Sequence, residues 1–148
     1  MGNIEQSLNM AANIKGAFAV AVVDYESGMM LGSRGGSAEF DLDVAAPGNS
    51  EVIRSKFDTV QKLGLRETVE DILITLDSQY HLIRPIHGLP DEKLFFYLAL
   101  NKTQANLALA RRELRIIEQE FFMSHPANAA RQGAAGGDGN FFPAPNQR

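Results

Sequence analysis

The sequence contains no cysteine and no long hydrophobic run, and each absence excludes a class of protein. Without cysteine among its 148 residues, the chain can form no disulfide and use no catalytic thiol, which suits a cytoplasmic protein. The longest unbroken apolar runs have seven residues, too few to cross a bilayer. The first residues lack the basic-then-apolar order of a secretory signal. A net charge of −4 gives no general attraction to nucleic acid or to anionic membranes. We therefore expect a cytoplasmic protein that binds neither.

The patterns that carry chemistry are also missing. His81, His87 and His125 stand alone, without a second ligand at the spacing that a metal site requires. No glycine-rich stretch opens a helix as a phosphate-binding or dinucleotide-binding loop must. Asp41 and Asp43 precede a predicted helix, where capping is a better explanation than acid–base catalysis. We predict that the protein is not an enzyme, with no catalytic, cofactor-binding or metal-binding residues.

Two unbroken apolar runs predict the middle of a sheet. Ala17–Val23 and Leu94–Leu100 do not alternate between apolar and polar residues, so both faces of each strand should be covered. Gly28, in the turn that follows the first run, predicts a β-hairpin with a second strand at Met29–Ser33. The remaining strands are predicted at Thr68–Leu76, with a centre that is more apolar than alternation gives, and at Tyr80–Arg84.

Three helices are predicted from spacing and end signals. The first covers residues 3–13, and the second runs from Leu42 to Leu63 and stops at Gly64. Pro47 predicts either a kink in this helix or a later start, near residues 49–50. The third covers residues 103–121, with Asn101 as its cap.

The order of these elements, α-β-β-α-β-β-β-α, predicts an α+β domain over residues 1–123. It has a five-stranded antiparallel sheet sandwiched by helices, because the strands come in runs with short links. Residues 124–148 are rich in Ala, Gly, Pro and Asn and are predicted to be a disordered tail. Phe141-Phe142-Pro143, its one apolar segment, has an alternative reading as a docking motif for a partner.

This order and several segments within it resemble the roadblock family of dynein light-chain type, whose fold is roadblock/profilin-like. The family includes dynein light chains, scaffold subunits that hold small GTPases, and bacterial partners of Ras-like GTPases. The segments that carry the resemblance are Ile14-Lys15-Gly16-Ala17 with Ala19–Asp24, Gly28, the helix after Leu42, Asp71–Ile74 with Tyr80–Ile83, and Ala105–Arg111.

The resemblance implies a homodimer in which the middle helix and the third strand each pair with the same element of the second copy. It also implies a signalling partner such as a small Ras-like GTPase. An apolar edge strand at Thr68–Leu76 gives an independent reason for a dimer, since unpaired backbone groups invite pairing. In the alternative, Glu70 and Asp71 protect a solvated edge. The candidate dimer-interface residues, some of which must face the core instead, are Ile53, Phe57, Val60, Val69, Ile72 and Ile74.

Two functions follow, and they predict different interiors. A non-catalytic homodimeric adaptor that binds a small GTPase should have a filled core. A small-molecule-sensing module, the alternative, should have a cavity behind the sheet lined by a few polar groups. Leu94–Leu100, polar only at Tyr97, favours the filled core. Arg111, on the third helix, is predicted to be a solvated surface residue and not an arginine finger for a GTPase.

Overall fold

A computed structural model describes residues 2–124, which form three helices and five strands. The predicted tail lies outside the described residues, apart from Ser124, which ends the last helix. No helix in the described part of the chain is long and apolar enough to cross a membrane. The elements are α1 (Gly2–Ala12), β1 (Ala17–Asp24), β2 (Met30–Gly35), α2 (Leu42–Lys62), β3 (Ile72–Thr75), β4 (Gln79–Pro85), β5 (Leu94–Asn101) and α3 (Leu107–Ser124).

The strands form one antiparallel sheet in the order β2-β1-β5-β4-β3. The two apolar runs lie side by side in its interior, with Val22 opposite Phe96, as predicted. Every residue of Leu94–Leu100 is buried, because helices cover both faces of β5. The predicted α+β fold with a five-stranded antiparallel sheet is confirmed.

Each face of the sheet has its own hydrophobic core. α1 and α3 cover one face, where Leu8 and Leu114 pack with Phe96. α2 covers the other face, where Ala46 and Ile53 pack with residues such as Tyr97. β3 and its neighbour lie at the end of the sheet away from β1 and β2, the strands that α2 contacts most.

Two predicted element starts are wrong. β3 begins at Ile72 and not at Thr68, because its partner β4 ends at Pro85, which has no N–H to extend the ladder. α3 begins at Leu107 and not at residue 103. Its start is marked by Asn106, whose side-chain oxygen accepts from the N–H of Leu109, so the predicted cap at Asn101 is also wrong.

α2 begins at Leu42 and continues through Pro47, so the alternative start near residues 49–50 is wrong. Asp41 caps this helix by accepting a hydrogen bond from the N–H of Asp43 at 2.9 Å. Pro47 lacks the N–H that would bond one turn back, and it lies against the hairpin turn at Gly28. Packing on this turn helps to offset the lost hydrogen bond.

Candidate interaction surface at α2 and the β3 edge

β3 is an edge strand with one neighbouring strand among residues 2–124. It pairs antiparallel with β4 over its four residues, and no strand within residues 2–124 covers its other side. Ile72 and Ile74 point to the same side of the sheet as α2 and are only half buried. A strand with free backbone groups beside half-buried isoleucines is a template for another strand.

The six predicted interface residues fall into two classes. Ile53 is completely buried beneath α2 in the core of the single chain. The other five, Phe57, Val60, Val69, Ile72 and Ile74, are half buried. Phe57 makes an edge-on contact with Tyr25, with 5.4 Å between ring centroids. Phe57, Val60 and Val69 line a shallow groove of about 320 Å³ near this contact.

A larger groove of about 780 Å³ separates α2 from the segment that leads into β3. We call it the α2–β3 groove. Its α2 wall is one stripe at helical spacing, and its other wall includes Val69 and Ile72, which the structure thus brings together. The residues of the α2 wall are Gly48, Glu51, Val52, Ser55, Lys56 and Thr59.

Sequence reasoning missed the apolar residues on this outer side of α2. Val44 is 69% exposed and Val52 is 38% exposed, although Leu42, Ala46 and Ile53 of the same helix are buried in the core. They are eight residues apart, about two turns, and lie out of phase with Ile53. A search of the sequence for a second apolar stripe on α2 would have found them.

A buried ion network holds the start of β3 in place. The carboxylate of Asp71, the residue before β3, accepts two hydrogen bonds from Arg111 on α3, at 2.7 and 3.0 Å. Arg84 on β4 lies 3.9 Å from the same carboxylate and donates to Glu118 at 3.0 Å. Asp71 is therefore not a solvated charge that protects the edge, and Arg111 is engaged in a two-point ion pair rather than simply solvated.

Sequence comparison and structural comparison give different results for this chain. No family model and no curated protein matches the sequence. The structure matches Myxococcus xanthus MglB with a TM-score of 0.71 and 12% identity, covering 89% of this chain and 90% of that one. It matches the roadblock/LC7 domain from Streptomyces avermitilis with a TM-score of 0.64 and 10% identity, covering 80% and 91%. A structure described as MglB with tetrameric arrangement matches with a TM-score of 0.58 and 13% identity, covering 82% and 93%.

The chain has the roadblock fold. The fold that the resemblance implied is thereby confirmed, at identities that by themselves show the fold alone. The α2–β3 groove and the β3 edge thus lie on the middle helix and third strand of a roadblock fold.

A pocket on the α2 face of this roadblock fold contains a chain of hydrogen bonds. It has a volume of about 410 Å³ and lies between the start of α2 and the inner strands. The Tyr97 hydroxyl lies 3.1 Å from His81 Nδ1, and His81 Nε2 lies 2.8 Å from Gln79 Oε1. Asn49 also hydrogen-bonds to Tyr97. Neutral His81 satisfies all these contacts when it accepts from Tyr97 at Nδ1 and donates to Gln79 from Nε2. We call this the His81 pocket.

Burial shifts the pKa values of both titratable groups in this chain of hydrogen bonds, Tyr97 and His81. Burial raises the pKa of Tyr97 to about 12, against a smaller opposing effect of the Asn49 hydrogen bond. Burial lowers the pKa of His81 below its ordinary 6.5, because the charged imidazolium loses hydration. Phe40 packs edge-on against His81, with 5.6 Å between ring centroids, and contributes to this dry environment.

The lowered pKa of His81 predicts a loss of stability in mild acid. Well above pH 6.5, His81 is neutral in both the folded and the unfolded state. As the pH falls below 6.5, the unfolded chain takes up the proton first, so the free energy of unfolding decreases. We expect His81→Gln to weaken this dependence below pH 6.5, as measured by urea unfolding at successive pH values. An NMR titration that places the His81 pKa at or above 6.5 would contradict the prediction.

Proposed function

We propose that this protein is a non-catalytic regulatory adaptor of the roadblock family, similar to MglB. In this proposal it forms a cytoplasmic homodimer through α2 and β3 and binds a small Ras-like GTPase. The observation that carries the proposal is the α2–β3 groove beside an edge strand whose outer side pairs with no strand of residues 2–124.

Self-association would cover both the α2–β3 groove and the open edge of β3. A two-fold pairing of β3 with its copy would join two five-stranded sheets, and the same axis would bring the α2 helices together over the joined sheet. Phe57, Val60, Val69, Ile72 and Ile74 are the sequence-predicted residues available for this interface, and Val44 and Val52 add to them. Ile53 would support it from within the core. A structure described as MglB with tetrameric arrangement has this fold, which supports the proposal that this chain also self-associates.

The GTPase partner rests on the resemblance to a family that includes bacterial partners of Ras-like GTPases. The overlap with Myxococcus xanthus MglB along most of both chains shows that the two proteins share this fold. An adaptor needs a rigid body more than reactive groups, and the largest fully buried side chains, among them Phe95, Phe96 and Tyr97, give this domain a filled core.

The sensing alternative would have to use the His81 pocket. This pocket lies behind the sheet and has polar groups, as the alternative requires. However, the Tyr97 hydroxyl already hydrogen-bonds to His81 and to Asn49, so a ligand would have to break these bonds to bind the three groups. The adaptor is therefore the better supported function.

The test combines sedimentation with a binding measurement. We expect the wild-type chain to sediment as a dimer and Ile74→Arg, which places a charge on the pairing strand, to shift the equilibrium to a monomer. Isothermal titration against the Ras-like GTPases of the same organism, beginning with any that is encoded near its gene, should give saturable binding that weakens in the variant. Each GTPase is loaded with GDP or a GTP analogue. Circular dichroism should show that Ile74→Arg is folded.

The two parts of the proposal can fail separately. A folded wild-type monomer at micromolar concentration would contradict the dimer. A stable dimer that binds none of the GTPases in either nucleotide state would contradict the partner.

A further inference from the structure

The charges along α2 are segregated by sign. At its start Glu39, Asp41 and Asp43 are acidic and exposed, with no basic residue among positions 39–43. Positions 54–62, in its second half, include Arg54, Lys56 and Lys62, with Asp58 as the single acidic residue. Glu51, near the middle of the helix, is also acidic and exposed. The first part of the helix is therefore negative and its second half is mostly positive.

Most of the basic charges already have partners within the chain. Arg54 donates to the backbone oxygen of Tyr25, and Lys62 pairs with Asp58 at 3.0 Å. Lys56, an exposed residue of the α2–β3 groove, has no ion-pair partner among residues 2–124. The carboxylate of Glu39, at the mouth of the His81 pocket, likewise has no ion-pair partner in that range.

The two-fold geometry of the proposed dimer brings these opposite ends together. Antiparallel pairing of β3 with its copy requires a two-fold axis perpendicular to the joined sheet. Such an axis keeps both α2 helices on one face of the sheet and reverses their directions. The acidic start of one α2 then faces the basic second half of the other. The His81 pocket and the α2–β3 groove also lie on the same side of α2, the side above β3 and β4.

Resting on the dimer proposed above, we infer that Lys56 of a second copy pairs with Glu39 at the mouth of the His81 pocket, and that this pair makes the chain select its own copy. The two-fold axis forms the contact twice. Ion pairs of this kind contribute more to the choice of partner and to register than to affinity, because like charges in the same place repel. Each chain therefore carries both members of the pair, and each member meets its complement on the second copy.

The test is a charge swap measured by analytical ultracentrifugation at low ionic strength. Glu39→Lys and Lys56→Glu should each weaken the homodimer by about ten- to a hundredfold, since each places like charges together twice. An equimolar mixture of the two variants should form a heterodimer with an affinity near that of the wild type, because both contacts become opposite-charge pairs. The double variant Glu39→Lys/Lys56→Glu should recover the homodimer for the same reason.

Glu120→Lys is the matched control, since it makes the same exchange on an exposed residue of α3, across the sheet from α2. It should dimerise as the wild type does. If the wild type dimerises and the mixture of single variants is no tighter than either variant alone, the Glu39–Lys56 pair is overturned while the proposed function stands. If the wild type is a monomer, the proposed function itself fails.

Discussion

Replacing Arg84 by methionine should lower the free energy of unfolding by about 3–5 kcal/mol, because it leaves the buried carboxylate of Glu118 without its cation. The side chain of Arg84 is 9% exposed, and those of its partners Asp71 and Glu118 are 9% and 13% exposed. Glu118 loses its hydrogen bond from Arg84 Nε in the variant, whereas Asp71 keeps Arg111. Guanidinium chloride unfolding measures the loss.

Two further variants test the cause. Arg112→Met removes an exposed arginine of α3 and should change stability by no more than about 0.5 kcal/mol. Arg84→Met/Glu118→Met replaces both members of one buried pair by apolar groups and should recover part of the loss. A loss below about 1 kcal/mol for Arg84→Met would show that the network contributes little.

The same variant should also loosen the proposed pairing strand. Asp71 immediately precedes β3, and its carboxylate is tied to β4 and α3 through Arg84 and Arg111. Native-state hydrogen exchange of the amides of Ile72–Thr75 should therefore become faster in Arg84→Met than overall destabilisation explains. Exchange that follows global unfolding alone would assign the network to general stability.

Ile53→Ala should cost about 2–5 kcal/mol, and Val52→Ala should cost the monomer no more than about 0.5 kcal/mol. The two residues are neighbours on α2, but Ile53 is completely buried and Val52 is 38% exposed. Truncating Ile53 leaves a cavity between α2 and the sheet. Truncating Val52 removes surface from the α2–β3 groove, where a second copy would pack.

Measurements at different protein concentrations separate the effect on monomer stability from the effect on dimer affinity. Below the dissociation constant of the dimer, thermal unfolding should show a loss for Ile53→Ala alone. Sedimentation should show a weaker dimer, by about fivefold or more, for Val52→Ala. If Val52→Ala and the wild type associate equally, the outer stripe of α2 lies outside the interface.

The inner strands of the sheet and the end of α2 could be predicted because they depend on residues close together in the sequence. Ala17–Val23 and Leu94–Leu100 are apolar without alternation, so any arrangement that left a face of either strand in water would be costly. Gly64 ends α2 with a positive φ of 72°, which a glycine adopts at little cost. The length, charge and spacing of these segments were enough to predict the α+β fold.

The two wrong element starts lie where a residue distant in the sequence determines the boundary. The start of β3 depends on Pro85 in β4, and the start of α3 follows Ala105, which packs against Gly16. At Gly16 an added Cβ would lie 2.9 Å from the Cα of Ala105, so these two segments can meet closely only because residue 16 is a glycine. The helical spacing around residue 103 is real, but this contact and the cap at Asn106 place the start later.

The sequence by itself determined which segments become strands and helices and which strands lie inside, because apolar periodicity and turn residues act over a few positions. The tertiary structure alone decided that Ile53 belongs to the core, that Asp71, Arg84, Arg111 and Glu118 form one network, and that α2 leaves an apolar stripe and unpaired charges beside an open edge. These properties depend on which faces meet, and residues far apart in the chain become neighbours only when the sheet and its helices are packed together.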